Sequence, residues 1–140
     1  MSYNFFVTGE RAMHIIRGND IDYIPASHER PDEPGVLKKV LVQAADLIDG
    51  RVQMINWALL PAGNSFQAHY HEDMQEIFIV VQGSTQICIG DESAELTTGD
   101  AVFIPIAAVH TMHNPHAEDA AYIAIGITQG RGGKTVVVEE

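Results

Sequence analysis

The sequence predicts a single all-β domain, a barrel or sandwich, and three observations predict it. Gly and Pro divide the chain into short β-prone runs. No segment sustains the 3.6-residue apolar rhythm of an amphipathic helix. The 140 residues, 46% of them hydrophobic, suffice for one compact core and leave no room for a second.

Taken in order, residues 1–40 read as an extended N-terminal arm, and residues 41–140 as the barrel. In the arm, Phe5-Phe6-Val7 and His14-Ile15-Ile16 suggest short strands, while Pro25, Pro31, Pro34 and Gly35 mark an irregular crossing. Residues 51–60 form a strand whose polar and apolar residues mix on both faces, as in a strand with one face toward a cavity, and Pro61-Ala62-Gly63 ends it. Residues 86–89 and Glu95-Leu96 make a hairpin around Gly90-Asp91-Glu92. Gly99-Asp100 turns the chain into residues 101–104, and the last long strand covers residues 120–128. A glycine-rich turn then leads to terminal Val136-Val137-Val138.

Chemistry concentrates in His69-Tyr70-His71, Glu76 and His110. Alternate residues of a strand face the same way, so His69 and His71 converge on one point. Glu76 lies an odd number of positions beyond His71 and would face away if the strand ran on, so the chain must break at Glu72-Asp73-Met74-Gln75. Beyond it, Glu76-Ile77-Phe78-Ile79-Val80-Val81 is a buried strand in which Glu76 is the one charge. A buried carboxylate is costly unless paired or metal-bound, and imidazole with carboxylate is a donor set for first-row divalent ions. The competing reading is a chance His-x-His on a solvated strand with Glu76 facing water at a strand end.

The spacing Gly63-x5-His69-x-His71-x4-Glu76-x6-Gly83 resembles the first cupin motif. Gly99-x5-Pro105-x-Ala107-x2-His110-x3-Asn114 resembles the second, with Ala107 where that motif usually has Gly. The two motifs span residues 63–114. The resemblance implies a single-domain cupin β-barrel, a jelly-roll-like double-stranded β-helix, with a metal held by His69, His71, Glu76 and His110. It also implies a homodimer in which the N-terminal arm packs on the barrel or on the partner. If the turn at Ala107 requires positive φ, alanine is strained there and glycine would not be.

Composition excludes other classes. With 19 acidic residues against 8 basic ones, the net charge of −11 argues against a nucleic-acid surface, and Lys38-Lys39 is the only basic pair. No apolar run approaches the roughly 20 residues of a membrane span, and no basic, then apolar, leader opens the chain, so a cytoplasmic protein is expected. Cys88 has no internal partner and reads as a small buried hydrophobe between Ile87 and Ile89. The segment Gly130 to Thr135 is no phosphate loop, because Thr128 stands at the first glycine position and valines, not a helix, follow. His113 faces away from His110, Met112 and Asn114, and His116 follows Pro115 into a loop. Both read as surface residues, as do His14 and His28, with a second metal site at His113 and His116 as the lesser alternative.

Function turns on the ion, one divalent iron, manganese, nickel, cobalt or zinc. Four protein ligands close a tetrahedral zinc site, whereas an octahedral ion keeps two positions for water or substrate. The cupin resemblance implies a metal-dependent enzyme of oxygenase, isomerase or lyase type, with a small anionic or chelating molecule as substrate. The alternative is a non-catalytic module that binds a small ligand. The general acid or base cannot be assigned, and Tyr70 points away by alternation. Gln67, Phe78 and Met112 share the parity of the ligands and are expected along the pocket wall.

Overall fold

The computed structural model describes residues 13–139. It forms two antiparallel sheets. The six-stranded sheet runs β1 (Ile24–Pro25), β2 (Leu37–Gln43), β3 (Val52–Leu60), β10 (Ala120–Thr128), β5 (Met74–Gln82) and β8 (Ala101–Ile104). The five-stranded sheet runs β11 (Thr135–Val137), β4 (His69–His71), β9 (His110–His113), β6 (Ser84–Ile89) and β7 (Glu92–Thr97). Two short 3-10 turns, Gly18–Asp20 and Ala44–Asp46, are the helical elements among the described residues. This is the all-β, single-domain barrel expected.

Period-2 alternation places the core. On β5, Glu76, Phe78 and Val80 are buried, and on β9 His110 and Met112 are buried, with Asn114 just beyond the strand. Across the large sheet Ala58 pairs with Tyr122 and Tyr122 with Val80, so one inward row crosses three strands. Leu60, Val80, Ile104 and Met112 are fully buried where the two inner faces meet. Each such side chain contributes roughly 1.5–3 kcal/mol on burial, which makes this row the main source of stability.

The strand limits follow the turn chemistry. Gly90, at φ 60°, opens the two-residue connection from β6 to β7, a conformation glycine adopts without cost. Among non-glycine residues described, Ala107 alone has positive φ, 64°, so the turn before His110 does require the left-handed region.

Two expectations change. His14-Ile15-Ile16 is not a strand: all three residues are exposed and unpaired, and the backbone becomes regular only at the first 3-10 turn. The segment Phe5-Phe6-Val7 lies outside the described residues. Cys88 is half-buried, not buried, because Thr85 and Ile87 take the inward positions of β6 and put Cys88 on the outer parity with Gln86. Within the first forty residues, β1 and β2 pair into the large sheet and Ala26 and Val36 enter the core.

Candidate metal centre

β4 is three residues long, with His69 and His71 buried and Tyr70 turned outward between them. Two residues, Glu72 and Asp73, separate it from β5, and that break brings Glu76 round to the inner face. Asp73 holds the bend: its Oδ2 accepts the Thr128 hydroxyl at 2.7 Å and the amides of Arg131 and Gly132 at 2.5 and 3.1 Å. His110 sits directly opposite His69 in the β4–β9 pairing, with ring centroids 4.3 Å apart. The donor atoms of His69, His71, Glu76 and His110 all lie within 4.8 Å of one another, a group able to hold one metal ion.

The hydrogen bonds around the rings test that fit. His69 Nδ1 donates to the Gln67 carbonyl at 2.6 Å, and His110 Nδ1 donates to the Ala108 carbonyl at 2.9 Å. A carbonyl only accepts, so both neutral rings carry their proton on Nδ1 and present a bare Nε2 to the centre. His110 Nε2 is buried with no hydrogen-bond partner, 3.4 Å from Glu76 Oε1. A lone pair aimed at a carboxylate is unfavourable unless a cation lies between them. His71 donates through Nε2 to Glu76 Oε1 at 2.7 Å, and its Nδ1 meets the Thr135 hydroxyl at 2.8 Å. That hydroxyl donates or accepts, so it tolerates either tautomer of His71.

The electrostatics agree. Burial drives the His69 pKa down to about 3, reinforced by the neighbouring His28, and keeps its lone pair free of protons. Burial alone would lift the Glu76 carboxyl, but positive character on the facing side of the site, a proton on an imidazole nitrogen such as His71 Nε2 or a cation in its place, outweighs burial and holds the pKa low. Tyr122 is pushed far up by burial and by the charges of Glu76 and Glu29, so its hydroxyl stays protonated.

A cavity of about 120 Å³ opens on this group. His71, Glu76, Phe78 and Tyr122 line it on one side, and His28, Lys38, Met54 and Asn56 on the other. Phe78 therefore stands at the wall. Met112 is fully buried in the core cluster and is not part of that lining. Gln67 lies before β4 begins, so alternation does not extend back to it; its side chain donates to the His28 carbonyl at 2.9 Å and borders a separate hollow beside Arg30 and Ser65.

His113 faces out and bonds Ser65 Oγ at 2.6 Å, His116 pairs with Glu95 on the surface, and His14 is exposed. His28 is not peripheral. Its ring stacks on His69 at 3.8 Å with 19° between planes, and its Nδ1 donates to Glu29 at 2.8 Å. Glu29 is itself buried and accepts the amides of Gly35 and Gln67. No periodicity marks this pair; a Glu within an irregular, proline-rich crossing was the one available signal.

A protein-family model described as "Cupin domain" matches residues 56–126, just over half of the chain. Alginate biosynthesis protein AlgA of Pseudomonas aeruginosa is 37% identical over 67 residues, 47% of this chain and 14% of that protein. Mannose-1-phosphate guanylyltransferase 2 of Escherichia coli O157:H7 is 25% identical over 71 residues, 50% of this chain and 15% of that protein. The matched half of the chain thus spans only about one seventh of the length of these two relatives. Among solved structures, a sugar phosphate isomerase of Silicibacter pomeroyi superposes with a TM-score of 0.73 at 18% identity, covering 91% of this chain and 83% of that one. A predicted oxalate decarboxylase of Thermotoga maritima gives 0.72 at 21% identity, covering 82% and 99%. At such identities the likeness is one of fold.

Proposed function

This chain belongs to the cupin domain family, and from that premise we propose that it is a metal-dependent enzyme acting on a small anionic or chelating molecule. The observation that carries the reading is His110 Nε2, buried, left bare in the tautomer whose Nδ1–H donates to the Ala108 carbonyl, and aimed at Glu76 with no hydrogen-bond partner among the described residues. The metal ligands are His69, His71, Glu76 and His110. Two neutral imidazole lone pairs, a third from His71 and one carboxylate leave a divalent ion about +1 in formal charge, which suits an anionic oxygen ligand.

A bound ion of iron, manganese, nickel or cobalt would supply Lewis-acid polarisation of a carbonyl or hydroxyl oxygen. The residues of the chain do the rest. The carbonyls of Gln67 and Ala108 orient two rings. Phe78 and Tyr122 exclude water from one side of the cavity, and Tyr122 remains a donor. The names of structural neighbours, an isomerase, a polyketide cyclase and a predicted decarboxylase, support catalysis of this general kind without choosing the reaction.

The second reading is a module that binds a small ligand without turning it over. The four-residue donor set favours it in one respect, because four ligands complete a tetrahedral zinc ion. Elemental analysis of protein purified without chelator or affinity-tag metal separates the two. Iron, manganese, cobalt or nickel near one per chain supports the enzyme; zinc alone, or absence of metal with full stability, supports the binder and refutes the enzyme.

We also propose a homodimer in which residues 1–40 pack on the barrel or on the partner. Phe103, 64% exposed on β8, and the exposed Met13, Ile15 and Ile16 support it. Deleting residues 1–20 should give monomer or aggregate by sedimentation, and an unchanged dimer would refute it. Cytoplasmic residence is proposed with it, supported by the single unpaired Cys88 and checked by cell fractionation.

A further inference from the structure

Two polar side chains on the inner face of the large sheet take no part in holding a metal. Lys38 pairs with Ala58, which is buried, and Ala58 pairs with Tyr122, so Lys38 projects into the barrel. Asn56, two residues before Ala58, lies on the same inner face as the diagonal neighbour of Lys38, within reach of a long side chain. Lys39, by contrast, faces out, with its ammonium over the Tyr23 ring and on the Gly18 carbonyl.

Asn56 lacks the partners that burial demands, and Lys38, half-buried, has a single neutral one among the described residues. Asn56 is 6% exposed, and among the described residues its Oδ1 has no hydrogen-bond partner and its Nδ2 meets only the Met54 sulfur at 3.0 Å, a weak acceptor. Lys38 donates to the neutral Ser27 hydroxyl at 2.8 Å, and it enters none of the ion pairs among the described residues. Lys38 is half-buried, its bond to Ser27 lies at the exposed edge of the cavity, and its ammonium faces no countercharge among the described residues although the chain has acids in excess. Both residues line the cavity that reaches His71 and Glu76.

We propose that Lys38 and Asn56 form a carboxylate-binding subsite across the cavity from the metal centre, so that the ligand is a short oxo- or hydroxy-carboxylate with its acid group on Lys38 and Asn56. This rests on the metal-centre reading for the opposite end of the ligand. Lys38 is the one lysine or arginine on the cavity wall, and it matches one anionic group. Amide O and N are interchanged by a simple flip, so Asn56 can donate Nδ2 to the carboxylate or accept from a hydroxyl. Two strands, β3 and β10, separate β2 from β5, which sets roughly 14 Å between the β2 and β5 strand axes before side chains close the gap. The ligand is therefore elongated, with its second oxygen function at the far end from the acid. A cavity of about 120 Å³ is well below the roughly 300–1,000 Å³ of drug-sized sites, which limits it to a few carbons.

The test uses the full chain loaded with one equivalent of manganese and a panel of oxo- and hydroxy-carboxylates of about three to six carbons, each beside its neutral primary amide. Calorimetry should show at least one acid bound more tightly than its amide, and Lys38→Met should erase that preference with about a ten- to hundredfold loss of affinity. Asn56→Leu should weaken the same acid. Both variants should keep one manganese per chain; without ligand, Asn56→Leu should melt at or above the wild-type temperature because it removes a buried unsatisfied amide, and Lys38→Met, which gives up one exposed hydrogen bond, should melt close to it. No acid preferred over its amide by the wild type would overturn the subsite, and so would variants that bind the acid normally or that melt well below wild type. Acid binding by Lys38 and Asn56 in a protein that takes up no manganese would keep the subsite and refute the metal centre, so the two failures are distinct.

Discussion

Replacing Ala107 by glycine should stabilise the protein. Ala107 sits at φ 64° in the turn that delivers His110, and its amide donates to the His71 carbonyl at 2.8 Å, tying that turn to β4. An L-residue in the left-handed region costs roughly 1–2 kcal/mol through the approach of Cβ to the following carbonyl. Glycine removes that cost but restores about 0.4–1 kcal/mol of unfolded-state freedom. The methyl group is exposed, so little packing is lost. The difference favours Ala107→Gly by about 0.5–1 kcal/mol, or an increase in Tm of roughly 2–3 °C for a chain of this size. Thermal melts followed by circular dichroism, with Ala107→Val alongside, provide the assay, since a β-branched residue should tolerate this φ worse than alanine and melt below wild type. A glycine variant melting at or below the wild type, or a valine variant equal to it, would refute the strain argument. Metal content should be unchanged in both, because Ala107 contributes no ligand atom.

His110→Ala and Glu76→Ala should each lower bound metal sharply in elemental analysis, while His113→Ala, whose ring bonds Ser65 on the outer side, should leave it intact; equal loss for His113 and His110 would overturn the alternation argument. Gly35→Ala should destabilise by about 2 kcal/mol in urea unfolding, because a Cβ there would clash with the Ser65 carbonyl oxygen and meet Glu29 Oε1 at 2.9 Å, against the backbone beside the segment that carries His28. The Asp73 carboxyl is held below its ordinary 3.8, first by the Thr128 hydroxyl and then by the amides beyond β10. A folded-state pKa below the unfolded one adds stability that is present above the unfolded value and lost as pH falls through the folded value. Asp73→Asn should therefore lower stability at neutral pH and flatten the urea midpoint against pH on the acid side of about pH 5; parallel curves for variant and wild type would show that Asp73 carries no such linkage.

The parts of the site written in alternation were legible. His69 and His71 on β4, His110 on β9 and the buried row of β5 each follow from the period-2 geometry of a strand, and the need for a break before Glu76 follows from parity alone; Met112 follows the same period but ends in the core, not on the cavity wall. The bounds of β8 and β10 coincide with those expected because Gly99-Asp100 and the Gly130 segment punctuate them. His28 and Glu29 were not legible. Their partners, His69, Gln67 and Gly35, are set by an irregular crossing that has no period to read, and the Glu29 bond to Gln67 closes 38 residues of chain.

Lys38 marks the boundary between the two cases. In sequence, Lys38-Lys39 is a basic pair whose members must face opposite ways on a strand, but parity by itself does not say which faces in. The bulge between Val40 and Val42 shifts the β2–β3 register, so counting back from the apolar residues of β2 gives no dependable phase. The pairing of Lys38 with Ala58 decides it, because β3 itself has an unambiguous inner face in Asn56, Ala58 and Leu60. A barrel that needed only a core would place apolar residues at both inward positions. Keeping an unsatisfied amide there instead costs stability, and no group among the described residues supplies its partner or a countercharge for the neighbouring ammonium. For that reason the melting temperatures of Lys38→Met and Asn56→Leu, measured without ligand, bear on function as directly as their affinities do.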